Sequence, residues 1–353
     1  MISIIRRALF PLAGDAHRTS LAPVRKDGCA DTLARASGGR REASPSVLSL
    51  ALFTCVILAT SASAQQPANP RVQSHITLFG LGDRSPQVIL TTSRHFEAPN
   101  WAPDGKTLLL NAEGKLWRLP VAGGEPEQVP TGSVQRINND HGISADGKQI
   151  AISAGQIYVL PFSGGTPKQV TSKTPSYFHG WSPDGKTLAY CAQREGNFDI
   201  YAISAEGGAE KRLTSSAGYD DGPDYSPDGR WIYFNSDRSG SWDVWRIPAD
   251  GAGDNDARAE RITSDDLEDW FPHPSPDGRW LVFVSFPKGT KGHPANQNVI
   301  LRLMPMPGDK PEPASITELA RLFGGQGTLN VNSWSPDSKR FAYVRYSLDE
   351  DSK

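Results

Sequence analysis

Six times the chain writes one short phrase: an apolar or aromatic residue, Ser or Ala, Pro or Ala, Asp, Gly or Ser, and a basic residue. The copies are Trp101-Ala-Pro-Asp-Gly-Lys106, Ile143-Ser-Ala-Asp-Gly-Lys148, Trp181-Ser-Pro-Asp-Gly-Lys186, Tyr225-Ser-Pro-Asp-Gly-Arg230, Pro274-Ser-Pro-Asp-Gly-Arg279 and Trp334-Ser-Pro-Asp-Ser-Lys339. The Asp falls at 104, 146, 184, 228, 277 and 337, so successive copies stand 42, 38, 44, 49 and 60 residues apart. A period of about 40 to 50 residues marks an array of small sheets, in a ring or a line.

Each unit has the same grammar. Ser-Pro-Asp-Gly is a turn: Pro presets φ, Asp bonds the local backbone, and Gly accepts the positive φ. An apolar strand follows, as in Thr107-Leu-Leu-Leu110 or Trp280-Leu-Val-Phe-Val284. After a second turn comes an alternating strand such as Asp199-Ile-Tyr-Ala-Ile203 or Asp243-Val-Trp-Arg-Ile247. Gly-Gly or Asp-Gly turns lead to a last strand ending in Val170-Thr171, Leu213-Thr214 or Ile262-Thr263. Period-2 alternation between Gly-rich turns is hairpin grammar, and four short antiparallel strands make one propeller blade. Asp199 and Asp243 open their strands after Gly-Asn-Phe and Gly-Ser-Trp turns and are expected to cap them.

The ends set the blade number. Ser74–Phe79 and Gln87–Leu90 match the last two strands of a unit, while Trp334–Asp337 and Phe341–Arg345 match the first two. Alternating strands occur six times, around Ile76, Leu116, Ile157, Ile200, Val244 and Val299. The expectation is an all-β, six-bladed β-propeller closed by pairing of the N- and C-terminal strands, which leaves no free sheet edge. One unit is stretched. It holds the loop from Pro287 through His293 and the segment Ile316–Phe323, whose apolar residues at 316, 319, 322 and 323 have a helical spacing, with Gly324-Gly325 as its stop.

Residues 1–64 read as an N-terminal leader and 65–353 as the propeller. Arg40 and Arg41 precede the apolar run Val47–Thr60, and Ala62-Ser-Ala64 supplies a small-x-small cleavage site, the pattern of a signal peptide. The run is short against the roughly 20 residues of a membrane span, so no stable span is expected after cleavage. The leader holds eight of the 37 basic and four of the 39 acidic residues, leaving residues 65–353 at net −6. That mildly acidic balance argues against a nucleic-acid partner. Of the three Cys, only Cys191 lies beyond the leader, so the propeller has no disulfide to form.

These turns, the Asp-Ile-Tyr type strands and the Leu-Thr endings cover 74–346, and over that range the chain resembles the TolB-like β-propeller repeat family. The resemblance implies a six-bladed ring and, with the leader, a periplasmic or secreted location. TolB itself carries an α/β domain before its ring, and the ten residues between Ala64 and the first strand leave no room for one. Related propellers precede peptidase domains, but no Gly-x-Ser-x-Gly elbow occurs here. Oligogalacturonate lyase is a further similar propeller, with a His/Gln manganese site whose ligands do not map onto this chain.

Function is sought just upstream of each turn, where the copies stop agreeing and the chain leads into each innermost strand. Those six segments should converge on one mouth of the central channel, and a rigid scaffold holding variable loops is where binding residues concentrate. Taken singly, any of these residues also reads as structural, Asp and Asn capping turns and His and Trp packing between blades. As a group they suggest a mouth that binds an envelope protein or an oligosaccharide without catalysis, with Glu97, Asn139, Asp140, Tyr177, Asp221, Trp270 and Asn330 as candidates. The rings supply stacking surface and the carboxylates hydrogen bonds. The alternative is a metal-dependent carbohydrate lyase or hydrolase, in which His141, His179, His273 and His293 hold a divalent metal such as manganese and activate a water. His141 and His179 stand two residues before Ile143 and Trp181, equivalent positions expected to lie close together. Asp220, Asp221 and Asp224 would suit calcium.

Overall fold

The computed structural model describes residues 72–306, 308 and 315–348, so the leader and its cleavage site lie outside the described residues. Five four-stranded antiparallel sheets follow one another in chain order, and a sixth is completed by both ends of the chain. In that closing blade, Val72–Gly80 lies between Pro86–Thr92 and Arg340–Leu348, and a bridge from Trp334 to Phe341 adds the innermost segment. The Val72–Gly80 strand pairs with Arg340–Leu348 without a register break, from Val72 opposite Leu348 to Gly80 opposite Arg340. The ring is therefore six-bladed and closed as the complementary half-units require, with both edges of the array consumed.

The repeat is kept by a hydrogen-bond unit that each copy makes for itself. In five copies, Ser144/Asp146 among them, the same three contacts recur: Ser182 Oγ donates to Asp184 Oδ1 at 2.6 Å, Lys186 N donates to Asp184 Oδ1 at 3.0 Å, and Thr187 N donates to Ser182 Oγ at 2.9 Å. Ser226/Asp228, Ser275/Asp277 and Ser335/Asp337 repeat the pattern. The Leu-Thr endings have an equally local reason. Thr171, Thr214 and Thr263 Oγ1 accept the backbone N–H of Ile157, Ile200 and Val244 at 2.8, 2.9 and 2.9 Å, satisfying a buried donor beyond the short outer strand. Asp199 and Asp243 do more than cap. Fully buried, they take Arg212 and Arg261 from the outermost strands, both at 2.7 Å, and burial pushes the Asp199 carboxyl up to about 6.

The stretched unit corrects one expectation. Ile316–Phe323 is not helical; Thr317–Gly325 is the outer strand of its blade, paired antiparallel with Ala295–Pro305. A bulge inserts Leu319 opposite the Leu301–Arg302 step, so Leu319 and Leu322, three residues apart, reach the same core cluster. A bulged strand can thus carry a helical spacing, and the long partner strand decides which period is used.

The innermost strands position the channel. They run Glu97–Trp101, His141–Ile143, Ser176–Trp181, Asp220–Tyr225 and Glu268–Pro274. Four carry a bulge at a matching place, next to Ala98, His179, Gly222 and Phe271. Bulges re-aim side chains, here toward the axis. Gly222 is required at its bulge: φ is 60°, and a Cβ would stand 2.7 Å from Asn235 Oδ1.

Candidate functional site

Two chambers open on the channel, and His179 lines both. The upstream, polar one has a volume of about 220 Å³. Six of the residues singled out from sequence line it: Asp140, Tyr177, His179, Asp221, His293 and Asn330. Asn139 takes part from behind. Its carbonyl accepts Asn330 Nδ2 at 3.1 Å, and its Oδ1 stands 3.4 Å from Gln326 Nε2.

At the centre, the fully enclosed His179 ring stands between two carboxylates. Its Nε2 is 3.2 Å from Asp221 Oδ1 and 3.8 Å from Asp140 Oδ1. Burial opposes protonation of His179, but Asp140 and Asp221 outweigh it and raise the pKa above 6.5. Asp221 is also desolvated, yet the hydrogen bonds from His179 and His293 hold its carboxyl far below the ordinary range. Asp140 goes the other way: burial raises it despite His179, Asn330 and Asn138. The closer contact pairs His179 with Asp221. His293, from the long loop, brings Nε2 to 3.6 Å from Asp221 Oδ2 and packs its ring on Trp270 and Phe271. Beneath lies Cys191, whose buried Sγ donates to the Asp220 carbonyl at 3.2 Å and whose pKa is driven well up by burial; a thiol so placed is a packing group, not a nucleophile.

The other candidates are placed elsewhere. Trp270 is fully buried, its ring centroid 3.9 Å from that of Trp242, so it offers no stacking face. Half-buried Glu97 lies 3.6 Å from His95 Nε2 and lines neither chamber. The four histidines do not converge. His273 is fully buried, with Nδ1 at 3.0 Å from Asp224 Oδ2 and Nε2 at 3.3 Å from the Leu329 carbonyl, so both nitrogens are engaged. His141 and His179 do line a common chamber, the second one. Asp220 turns from Asp221 and Asp224 to accept Arg238 Nη2 on both carboxylate oxygens, at 2.8 and 2.7 Å. Among the described residues, no group of three or more His, Cys, Asp or Glu is arranged to hold a metal ion.

Sequence reasoning missed Phe198 and Gln326 as chamber residues. Phe198 lies two residues after the Glu195-Gly196 turn of the hairpin joining the second and third strands, which lies at the same end of the blade as the variable segments. That shared end was the available signal. Phe198 stacks between Tyr177, at 6.4 Å, and Tyr219, at 4.6 Å, and all three are half-buried. Together they form an aromatic rim above the buried charges.

A closed ring of six sheets around a polar, aromatic-rimmed channel defines a six-bladed β-propeller, and comparison with known proteins narrows the class. The TolB beta propeller domain matches residues 143–302. Uncharacterized protein Atu1656 of Agrobacterium fabrum is 50% identical over 282 residues, spanning 78% of this chain and 93% of that one. A solved structure described as "putative TolB" from Agrobacterium tumefaciens has 49% identity and a TM-score of 0.74, covering 79% of this chain and 99% of its own. TolB from Acinetobacter baumannii shares the fold at 18% identity and a TM-score of 0.52, over 78% of this chain and 63% of its own. The chain belongs to the TolB β-propeller family.

Proposed function

We propose that this propeller acts in the periplasm, holding a segment of an envelope protein or an oligosaccharide at the polar chamber without transforming it. The observation that carries the reading is the Tyr177–Phe198–Tyr219 rim, half-exposed, set above the buried His179–Asp221 pair. Stacked rings offer a low-entropy face to a sugar or a peptide side chain, and the buried charges supply directional bonds below it. The Arg40 to Ala64 leader pattern supports export. Among the described residues no helix is long and apolar enough to cross a membrane. The test is to screen purified protein against peptide libraries and acidic oligosaccharides, then to measure the selected ligand against Phe198→Ala and Tyr177→Ala. A loss of roughly tenfold in each is expected if each ring contributes about 1 to 1.5 kcal/mol. A ligand whose affinity neither change alters binds elsewhere, and the reading fails.

A further inference from the structure

The second chamber, of about 300 Å³, lies at the turn end of the channel. Three of the repeat's own tryptophans line it, Trp101, Trp181 and Trp334. Two of these indoles are bolted to the preceding blade. Trp181 Nε1 donates to the Gly142 carbonyl and Trp334 Nε1 to the His273 carbonyl, each at 3.0 Å. Held like this, the rings form a preformed apolar cage.

The cage contains polar atoms that the protein leaves without partners. Asp224 is nine-tenths buried; Oδ2 accepts His273 Nδ1 and Asn332 Nδ2, while Oδ1 has no hydrogen-bond partner among the described residues. His141 is fully buried, its Nε2 directed at the Leu109 carbonyl, and its Nδ1 is unpartnered. Burial lowers the His141 pKa to about 4 against the Leu109 and Ala98 carbonyls, so the ring is neutral. An unmade buried hydrogen bond costs about 1 to 3 kcal/mol, so the free Asp224 Oδ1 calls for a donor in the chamber. Trp101 Nε1 and His179 Nδ1, also without partners, belong to residues of the same lining.

We infer that this chamber binds a small organic ammonium compound with an apolar, oxygen-bearing body. The ammonium donates to Asp224 Oδ1. Around it, the indoles supply the electron-rich faces that attract cations within about 6 Å. The body's oxygen accepts from Trp101 Nε1 or His179 Nδ1. Sign decides against an anion: Asp224 is the carboxylate of this lining, and the His179 ring is matched by Asp221 at 3.2 Å.

Tyramine, tyrosol and 4-hydroxyphenylacetate share one body and differ only in the charge of the head, so they test the inference by calorimetry and tryptophan fluorescence on the purified protein. Tyramine is expected to bind once per chain, roughly tenfold tighter than tyrosol, with 4-hydroxyphenylacetate weakest. Asp224→Asn should remove most of that preference. Because Asp224 also holds His273, a second variant is needed; Trp181→Leu changes a half-exposed ring and should weaken tyramine roughly tenfold at unchanged fold by circular dichroism. The inference is overturned if 4-hydroxyphenylacetate binds as well as tyramine, or if tyramine shows no binding at millimolar concentration. It also falls if Tyr219→Ala, rather than Trp181→Leu, abolishes binding, since that places the amine in the polar chamber.

Discussion

The two ends of the channel are built by opposite rules. At the turn end, Ser-Pro-Asp-Gly closes its hydrogen bonds within five residues, and the same three contacts recur in blade after blade. At the upstream end, each polar group finds its partner far along the chain: Asn330 reaches Asp140 at 2.7 Å from 190 residues away, and His179 and His293 meet on Asp221. Local closure makes a motif insensitive to its neighbours and so repeatable. Long-range closure makes each position depend on several blades at once, so the copies diverge. The difference teaches where function can reside in a repeat protein, namely where the repeat cannot satisfy itself.

If that contrast holds, substitutions at the two ends should differ in size and in uniformity. The largest effect is expected for Asp221→Ala. It strands the enclosed His179 imidazolium and the Gly222 N–H, which donates to Asp221 Oδ1 at 2.8 Å, and breaking such a buried pair costs about 3 to 5 kcal/mol, measurable by urea denaturation. Next comes Thr214→Val, which leaves the buried Ile200 N–H without its 2.9 Å acceptor at about 1 to 3 kcal/mol. Ser182→Ala and Ser226→Ala should cost less, about 0.5 to 1.5 kcal/mol, and nearly the same in both blades. Unequal costs at those two serines would break the comparison.

The smallest effect is a pH signature that sharpens it. The folded pKa of His179 is raised above 6.5, so its contribution is complete below pH 6.5 and drains as the pH climbs through the folded value. For Asp221 the folded pKa is depressed below 3.8, so its contribution is complete above pH 3.8 and drains only as the pH falls. Both are present between pH 3.8 and 6.5. The stability difference between the native protein and His179→Gln should peak in that window and narrow on the alkaline side, whereas Ser182→Ala should show no such narrowing. A difference that grows above pH 6.5 would contradict the His179–Asp221 pairing.

Much of this was legible in advance because local chemistry wrote it. The ring, its six blades and its closure follow from turns and strand endings whose bonds lie within one unit. The convergence of Asp140, Tyr177, His179, Asp221 and Asn330 was also readable, since equivalent positions in a ring share an axis; His293 arrives from the long loop. Trp270 misled for a physical reason: aromatic character signals stacking in a mouth and packing between blades equally well, and Trp242 claimed its face. His273 misled likewise, because only Asp224 and the Leu329 carbonyl, in other blades, reveal that its nitrogens are engaged.

By itself, then, the sequence determined the architecture: how many blades, where each turn falls and where the ring closes. Those features rest on bonds between residues a few positions apart, or on a repeat that multiplies one such set. Only the tertiary structure decided that the channel divides into a polar chamber and a tryptophan chamber, that His179 stands between them, and that Leu319 enters a bulged strand in place of a helix. Burial, pairing and charge at those places come from side chains separated by one or more blades, and a one-dimensional pattern holds no record of which blades meet.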